Sequence, residues 1–170
     1  LSVFYDLNNP NKFLKDVHDI LDENGLFLLE FADLASLIKL NMFDTICHEH
    51  AEYYSTKVLL KMFQNNNLRL IQINKNDING ASKQFLLTKK RSKYKSNQKN
   101  INDILREEKL LRLDYPKTYS SFFREIKKIG RELKIFINKQ IKKNKIIHGY
   151  GSSTKGNTLL QFFKIGHHQI

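Results

Sequence analysis

Leu26-Phe27-Leu28-Leu29-Glu30-Phe31 is a short, almost uninterrupted apolar run directly after the turn dipeptide Asn24-Gly25. A run of this length next to a turn signal is typical of a strand that is buried on both faces. Upstream, residues 10–21 place their apolar side chains on one face of a helix, which the Asn-Gly pair ends. We therefore predict a helix over Pro10–Leu21 and a buried strand over Leu26–Phe31.

The segments after this strand alternate between helical and extended patterns. Residues 32–40 and 55–66 are predicted helices, the second because Ser55 can cap a segment with apolar residues at helical spacing. Residues 68–73 and 83–88 are predicted strands that pair antiparallel with each other. This order predicts the closing half of a doubly wound α/β sheet, in which residues 26–31 run parallel to neighbours outside this chain. Ligands bind beyond the carboxyl ends of such strands, so the insertion (residues 32–54) is expected to face the crevice.

The insertion contains Cys47-His48-Glu49-His50, which we call the His-Glu-His cluster, and Tyr53-Tyr54 follows shortly after. Three interpretations stay open: a polar loop whose groups bond to one another, a metal site, and acid–base catalysis in which one histidine takes a proton. In the catalytic interpretation, Glu49 orients the imidazole or the substrate. The spacing matches neither common zinc pattern and the chain has no second cysteine, so we predict no metal.

Residues 90–145 change in character. A basic, polar connection over Lys89–Asn97 leads to two predicted helices, Ile101–Leu113 and Tyr115–Lys143, with Pro116 in the first turn of the second. These helices are expected to form an arm that packs two α/β units together. A strand is predicted at Lys145–Ile147, where the second unit would begin.

A glycine-rich turn follows that predicted strand. Gly149 and Gly151 match the first two glycines of a dinucleotide-binding fingerprint, but Gly156 comes too late for the third. Gly151 and Gly156 have the spacing of a P-loop, yet Lys155 precedes the second glycine instead of following it. Two interpretations remain: the turn presents N–H groups and Lys155 to an anion, or the glycines simply allow a tight turn.

Composition sets broader limits. The 170 residues are 41% hydrophobic, and no apolar run approaches the length of a membrane span. Cys47 is the single cysteine, which excludes an internal disulfide and, with no visible signal peptide, predicts a cytoplasmic protein. The net charge of +12 leaves a basic nucleic-acid-binding module as one alternative. The 29 Lys and Arg residues are spread along the chain instead of clustered, which argues against it.

Three segments resemble, in the same order, motifs of the S-adenosylmethionine-dependent sugar C-methyltransferases. Phe43–Ser55 is similar to the signature loop of that family, and Asn79–Ser82 to its His/Asn-Gly-Gly-Ser motif. His148–Thr158 is similar to its Gly-Tyr-Gly-x-x-x-Lys-Gly-Asn-Thr motif. The resemblance implies the C-terminal half of a class I methyltransferase sheet over residues 1–92, a helical connection over residues 93–144, and the start of a second, Rossmann-like unit over residues 145–170.

The resemblance also implies an activity, with S-adenosylmethionine as cofactor and a nucleotide-linked keto-deoxysugar as substrate. His50 matches the base of the family, which removes the proton from the carbon beside the sugar ketone before that carbon is methylated. Glu49 matches its adjacent carboxylate. The expected substrate-binding residues are His48, Tyr53, Tyr54, Ser82 and Lys155. A methyltransferase for another small acceptor is the alternative within the same fold.

The chain departs from the family pattern at three positions. Cys47 stands where the family often has Tyr, Ala81 replaces the second glycine of its motif, and Gln84 stands where many members carry Arg. These departures bear on the substrate more than on the reaction. Leu1–Leu7 resembles the segment around the fourth strand of the methyltransferase sheet, so the cofactor-binding half is expected to precede it. We therefore expect a fragment, open at both ends, whose cofactor-binding residues are unknown and which binds the cofactor poorly alone.

Overall fold

The computed structural model describes residues 2–151 and 153–170, apart from the side chain of Asn79. Single 3-10 turns lie at Phe4–Asp6, Phe43–Thr45 and Ile78–Gly80. The helices and strands of the described residues are α1 (Pro10–Ile20), β1 (Leu26–Phe31), α2 (Leu34–Lys39), α3 (Thr56–Asn65), β2 (Leu68–Asn76), β3 (Ser82–Lys89), α4 (Gln98–Leu111), α5 (Pro116–Ile141) and α6 (Thr154–Phe163).

The three strands form one sheet in the order β1-β3-β2, with β3 antiparallel to both neighbours. The predicted antiparallel pairing of residues 68–73 with 83–88 is therefore confirmed. Because β1 and β2 both oppose β3, they run in the same direction. The mixed α/β class is confirmed, while the parallel neighbours expected beside β1 stay a prediction.

A cluster of aromatic side chains forms the centre of the main core. Phe31 on β1 stacks on Phe4 and on Phe85 of β3, with ring centroids 5.8 and 5.6 Å apart. Phe63 on α3 meets the ring of Phe85 edge-on at 6.1 Å. Apolar residues of α1, α3 and α4 enclose these rings. The predicted strand at residues 26–31 is thus packed as expected at its carboxyl end, where Leu29–Phe31 is buried.

The helix starts follow from local capping. Asn9 caps α1 by accepting the Lys12 N–H at 3.0 Å, and Ser55 caps α3 by accepting the Val58 N–H at 3.4 Å. These two helices lie within one residue of their predicted bounds. Asn97 accepts the Asn100 N–H at 3.1 Å, and α4 therefore begins three residues earlier than its apolar pattern indicated.

A second, smaller core joins α5 and α6 to the turn at Phe43–Thr45. Phe163 packs against Gly130 so closely that a Cβ atom there would lie 2.4 Å from the ring. The predicted strand at Lys145–Ile147 is wrong: these residues have no regular secondary structure. A strand needs a neighbour for its backbone groups, and among the described residues none pairs with this segment. No described helix has the length and apolar character needed to cross a membrane.

Candidate active site

The insertion follows the end of β1 and leads to Ser55, the capping residue of α3. Asp33 caps α2, since its carboxylate accepts the N–H groups of Ala35 and Ser36 at 3.0 and 3.2 Å. Beside it, the Leu34 N–H donates to the Tyr54 carbonyl at 3.0 Å, which joins the two ends of the insertion. The insertion is therefore a closed loop with a narrow base.

The His-Glu-His cluster forms a tight turn within this loop, in which the His50 N–H donates to the Cys47 carbonyl at 3.2 Å. His48 and Glu49 are exposed, whereas Cys47 and His50 are half-buried. The His50 ring lies on the ring of Tyr5, with centroids 4.2 Å apart. The two histidines thus differ in environment: His50 is held by an aromatic neighbour and His48 faces solvent.

Tyr5 fixes the cluster in a second way, because its backbone carbonyl accepts the Glu52 N–H at 3.1 Å. The ring of Tyr53 also meets the His50 ring, edge-on at 6.1 Å. Sequence analysis missed Tyr5, since it precedes His50 by 45 residues and no local pattern links the two. The His50 ring therefore has aromatic contacts from both the insertion and the segment before α1.

The two predicted substrate-binding tyrosines have different positions. The Tyr53 hydroxyl donates to the Thr45 carbonyl at 3.1 Å, and burial raises the pKa of Tyr53 to about 12. Tyr54 is buried in the main core, with its ring 5.2 Å from that of Phe4. Burial and the nearby Glu52 carboxylate raise the pKa of Tyr54, and its buried hydroxyl makes no hydrogen bond of good geometry. Tyr53 therefore braces the loop, and Tyr54 anchors the loop in the core.

Ser82 begins β3, and its hydroxyl donates to the Ile78 carbonyl at 2.9 Å, closing the turn between β2 and β3. Gly80 in this turn has a φ of 97°, a conformation that favours glycine. Ala81 is extended, with a φ of 179°, so alanine replaces the second glycine of the motif without strain. The Asn79–Ser82 motif thus has a structural use in this chain.

The segment after the glycine-rich turn contacts the His-Glu-His cluster, although the two lie far apart in sequence. The Thr154 hydroxyl, at the start of α6, donates to the Glu49 carboxylate at 3.3 Å. Ser153 caps α6 by accepting the Gly156 N–H at 3.2 Å, and Lys155 is half-buried on the first helical turn. A cleft lies here, lined among others by His48, His148, Gly149, Tyr150 and Thr154. Ser152 of this motif lies outside the described residues.

A buried ionic cluster lies at the base of the insertion. The Lys83 ammonium contacts Asp33 at 2.9 Å and Glu108 at 2.7 Å, and all three side chains are at most 6% exposed. Glu108 also accepts the Thr56 N–H with both carboxylate oxygens, at 3.0 and 2.9 Å. Burial lowers the pKa of Lys83, but the two carboxylates raise it more, so the net shift is upward and the ammonium stays charged.

Sequence analysis missed this ionic cluster, although one signal was present. Glu108 lies on the same helical stripe as the buried residues Ile101 and Ile104 of α4, where a charged side chain needs a buried partner. Nothing local identified Lys83 as that partner, since the two residues are 25 apart. Long-range pairing of this kind is set by the fold.

Gln84, which stands where the related family often carries Arg, bonds to a buried carboxylate. Glu30 is 3% exposed near the end of β1, directly across from Gln84 on β3. The Gln84 side-chain amide donates to the Glu30 carboxylate. A neutral donor therefore occupies the position beside a buried acid at the carboxyl end of β1.

Comparison with known proteins adds two matches. Residues 77–170 match the family model described as the C-methyltransferase C-terminal domain. Over 164 residues, the chain is 27% identical to the C-methyltransferase NovU of Streptomyces niveus. This alignment covers 92% of the chain and 39% of NovU, so the chain spans less than half of the length of that relative.

Proposed function

Because this chain belongs to the C-methyltransferase family, we propose that it is part of an S-adenosylmethionine-dependent enzyme that methylates a carbon of a nucleotide-linked keto-deoxysugar. The observation that carries this proposal is the position of His50: the one half-buried histidine of the cluster is the one that matches the family base. Its aromatic contacts limit the orientations of the imidazole, while half-burial leaves the ring accessible to a substrate.

His50 acts as the general base in this proposal. Histidine exchanges protons efficiently near neutral pH, and a positioned base typically accelerates proton transfer by about 10² to 10⁴-fold. The proton comes from the carbon beside the sugar ketone, and the negative charge moves onto the ketone oxygen. Glu49 is bonded to Thr154, so it holds the insertion against the start of α6. Glu49 therefore aligns the base with a substrate bound in the adjacent cleft.

The cleft supplies the binding groups for the nucleotide part of the substrate. The first turn of α6 presents backbone N–H groups to the cleft. Lys155 lies on the same turn but does not line the cleft, so its ammonium would have to reach a pyrophosphate from beside it. His48 lines the same cleft and is exposed, so it can donate to the sugar or to a phosphate. Tyr53 and Tyr54 contribute by holding the loop, and Ser82 by holding the turn before β3.

S-adenosylmethionine supplies the methyl group in this reaction, but the described residues do not form a cradle for it. Glu30 lies near the carboxyl end of β1, and the capping residue Asp33 follows the strand without a glycine-rich turn. The glycine-rich turn before α6 follows no strand in the described part of the chain. We therefore assign no cofactor contact to this chain, and its residues account for substrate binding and proton removal only.

The test is proton exchange in the full-length protein. Incubation in deuterium oxide with a nucleotide-linked keto-deoxysugar and no methyl donor should place deuterium on the carbon beside the ketone. Addition of S-adenosylmethionine should then give a product with one more methyl group on that carbon, as mass spectrometry and NMR would show. No exchange with any such sugar, but methylation of another small acceptor, would support the alternative methyltransferase function.

A further inference from the structure

The base of the insertion is held by charged groups that have no role in the proposed chemistry. We infer that Lys83 and Glu108 are positioning residues for His50. Their ionic cluster fixes both ends of the loop that carries this general base. This inference rests on the proposed function for its catalytic consequence. Its structural part, that the cluster immobilises the insertion, stands on the contacts alone.

The contacts connect the cluster to a residue at each end of the loop. Asp33, where the insertion leaves β1, accepts from Lys83 at 2.9 Å. Thr56, where the chain enters α3, is held twice: its N–H donates to Glu108 at 2.9 Å, and its hydroxyl accepts from Lys83 at 3.3 Å. Lys83 and Glu108 themselves lie on β3 and α4. The sheet and α4 therefore hold the loop at both ends through one pair of side chains.

The charges of this cluster are nearly balanced. Two carboxylates face one ammonium, and the remaining negative charge is offset by backbone N–H groups. Glu108 accepts from the N-terminus of α3, and Asp33 accepts from the first residues of α2. Because the side chains are almost fully buried, water screens these attractions little. Removal of the ammonium would leave two buried carboxylates facing each other, and the ends of the loop would separate.

His50 lies close enough to the held ends of the loop that a displacement of those ends would move it. Five residues separate it from Thr56, and Tyr54 among them is buried in the core. Glu52, two residues after His50, bonds to the Tyr5 carbonyl, so the segment from the cluster to α3 is held along its length. A shift of Thr56 would therefore move the His50 ring along the Tyr5 ring. Misplacement of a reacting group by about 1 Å can cost as much as 10²-fold in rate.

The experiment compares Lys83→Met and Glu108→Gln in the full-length protein with a matched control. Lys75 contacts Glu107, so it joins the same hairpin to the same helix α4, but on the exposed surface. Lys75→Met thus removes an ion pair of the same type without touching the loop. Methyl-transfer kinetics and amide hydrogen exchange of residues 46–54 are measured for all three variants.

Lys83→Met should lower kcat by about tenfold or more and change KM by less than about twofold, because base position affects the chemical step and not substrate binding. Amides of residues 46–54 should exchange at least tenfold faster, while those in β2 and β3 stay at the wild-type rate. Glu108→Gln retains an oxygen that can accept from Thr56 and Lys83, so its effects should be smaller. We expect kcat to fall by about threefold and the amides of residues 46–54 to exchange about threefold faster. Lys75→Met should match the wild type in both measurements.

A structural role alone would give a different pattern. Lys83→Met would then melt at a lower temperature, yet below that temperature it would keep the wild-type kcat and loop exchange, and this result would overturn the inference. If Lys83→Met does not fold, the decision rests on Glu108→Gln. Wild-type kcat and wild-type loop exchange in that variant would equally overturn the inference. If the wild-type protein transfers no methyl group, the proposed function fails, and hydrogen exchange of the variants still decides whether the cluster holds the loop.

Discussion

At the scale of single residues, the two histidines of the His-Glu-His cluster lie only two residues apart but in different environments: His50 packs against the Tyr5 ring, and His48 is exposed. His50→Asn should lower the methyl-transfer rate of the full-length enzyme by about a hundredfold or more, because general bases contribute about 10² to 10⁴-fold. His48→Asn should have a smaller effect, since His48 faces solvent. Solvent deuterium exchange at the substrate gives the clearest measurement, and wild-type exchange in His50→Asn would exclude His50 as the base.

Lys155 tests the substrate-binding part of the site. If Lys155 and the glycine-rich turn hold a substrate phosphate, Lys155→Ala should raise KM and leave kcat nearly unchanged. The phosphate contact would be equally strong in the ground state and the transition state, so it would lower KM without accelerating the reaction. Steady-state kinetics measure both constants. An unchanged KM would favour the alternative that the turn has a structural use only.

Sequence analysis could predict which candidate site residues lie together only where those residues are neighbours along the chain. Cys47 to His50 form one turn because they are adjacent, and their residue types indicated proton chemistry. The contacts of His50 with Tyr5 and of Lys83 with Glu108 could not be predicted, because each joins segments far apart in sequence. The substrate-binding roles predicted for Ser82 and Tyr54 stay predictions, and in the structure their side chains hold the turn and the core.

At the scale of secondary structure, the predictions succeeded where the pattern was strong and local. The helices at residues 10–20 and 56–65 had both an apolar face and a capping side chain, so two independent signals agreed. The strand expected at residues 145–147 rested on two isoleucines alone. Ile147 does pack on the smaller core, but Ile146 is 84% exposed, and no strand lies beside either of them among the described residues.

The contact between α5 and α6 gives a prediction at this scale. Gly130→Ala should destabilise the protein by about 1–3 kcal/mol, because a methyl group would lie within 2.4 Å of the Phe163 ring and force the helices apart. The higher helix propensity of alanine offsets about 1 kcal/mol of this cost. Urea denaturation measures the difference. Gly166→Ala is the control, since no atom lies within 4 Å of its Cβ position, and equal stability of both variants would contradict the close packing.

At the scale of the whole molecule, the sheet has one edge whose neighbour is still a prediction. β1 uses one edge to pair with β3, and its other edge makes no strand pair within the described residues. Leu26 and Leu28 on β1 are 49% and 45% exposed, which is unusual for an apolar run of this kind. A doubly wound sheet would cover this strand with a parallel neighbour and further helices.

Backbone direction identifies which amides report on that neighbour. The Glu30 carbonyl accepts the Ser2 N–H at 2.7 Å, so it points away from β3. The N–H and C=O groups of one residue point to the same side of a strand, and successive residues alternate. The N–H of Leu28 therefore points to the outer edge of β1, and the N–H of Leu29 points to β3.

If the chain is the closing half of a doubly wound sheet, the Leu28 amide in the full-length protein should be bonded to a parallel strand. Its hydrogen exchange should then be slowed to within about tenfold of that of Leu29, because both open only when the core of the sheet unfolds. Native-state exchange measured by NMR compares the two amides within one molecule, with Leu29 as the internal control. Rapid exchange at Leu28 beside a protected Leu29 would mean that β1 is an edge strand, and the sheet of this protein would then end at β1.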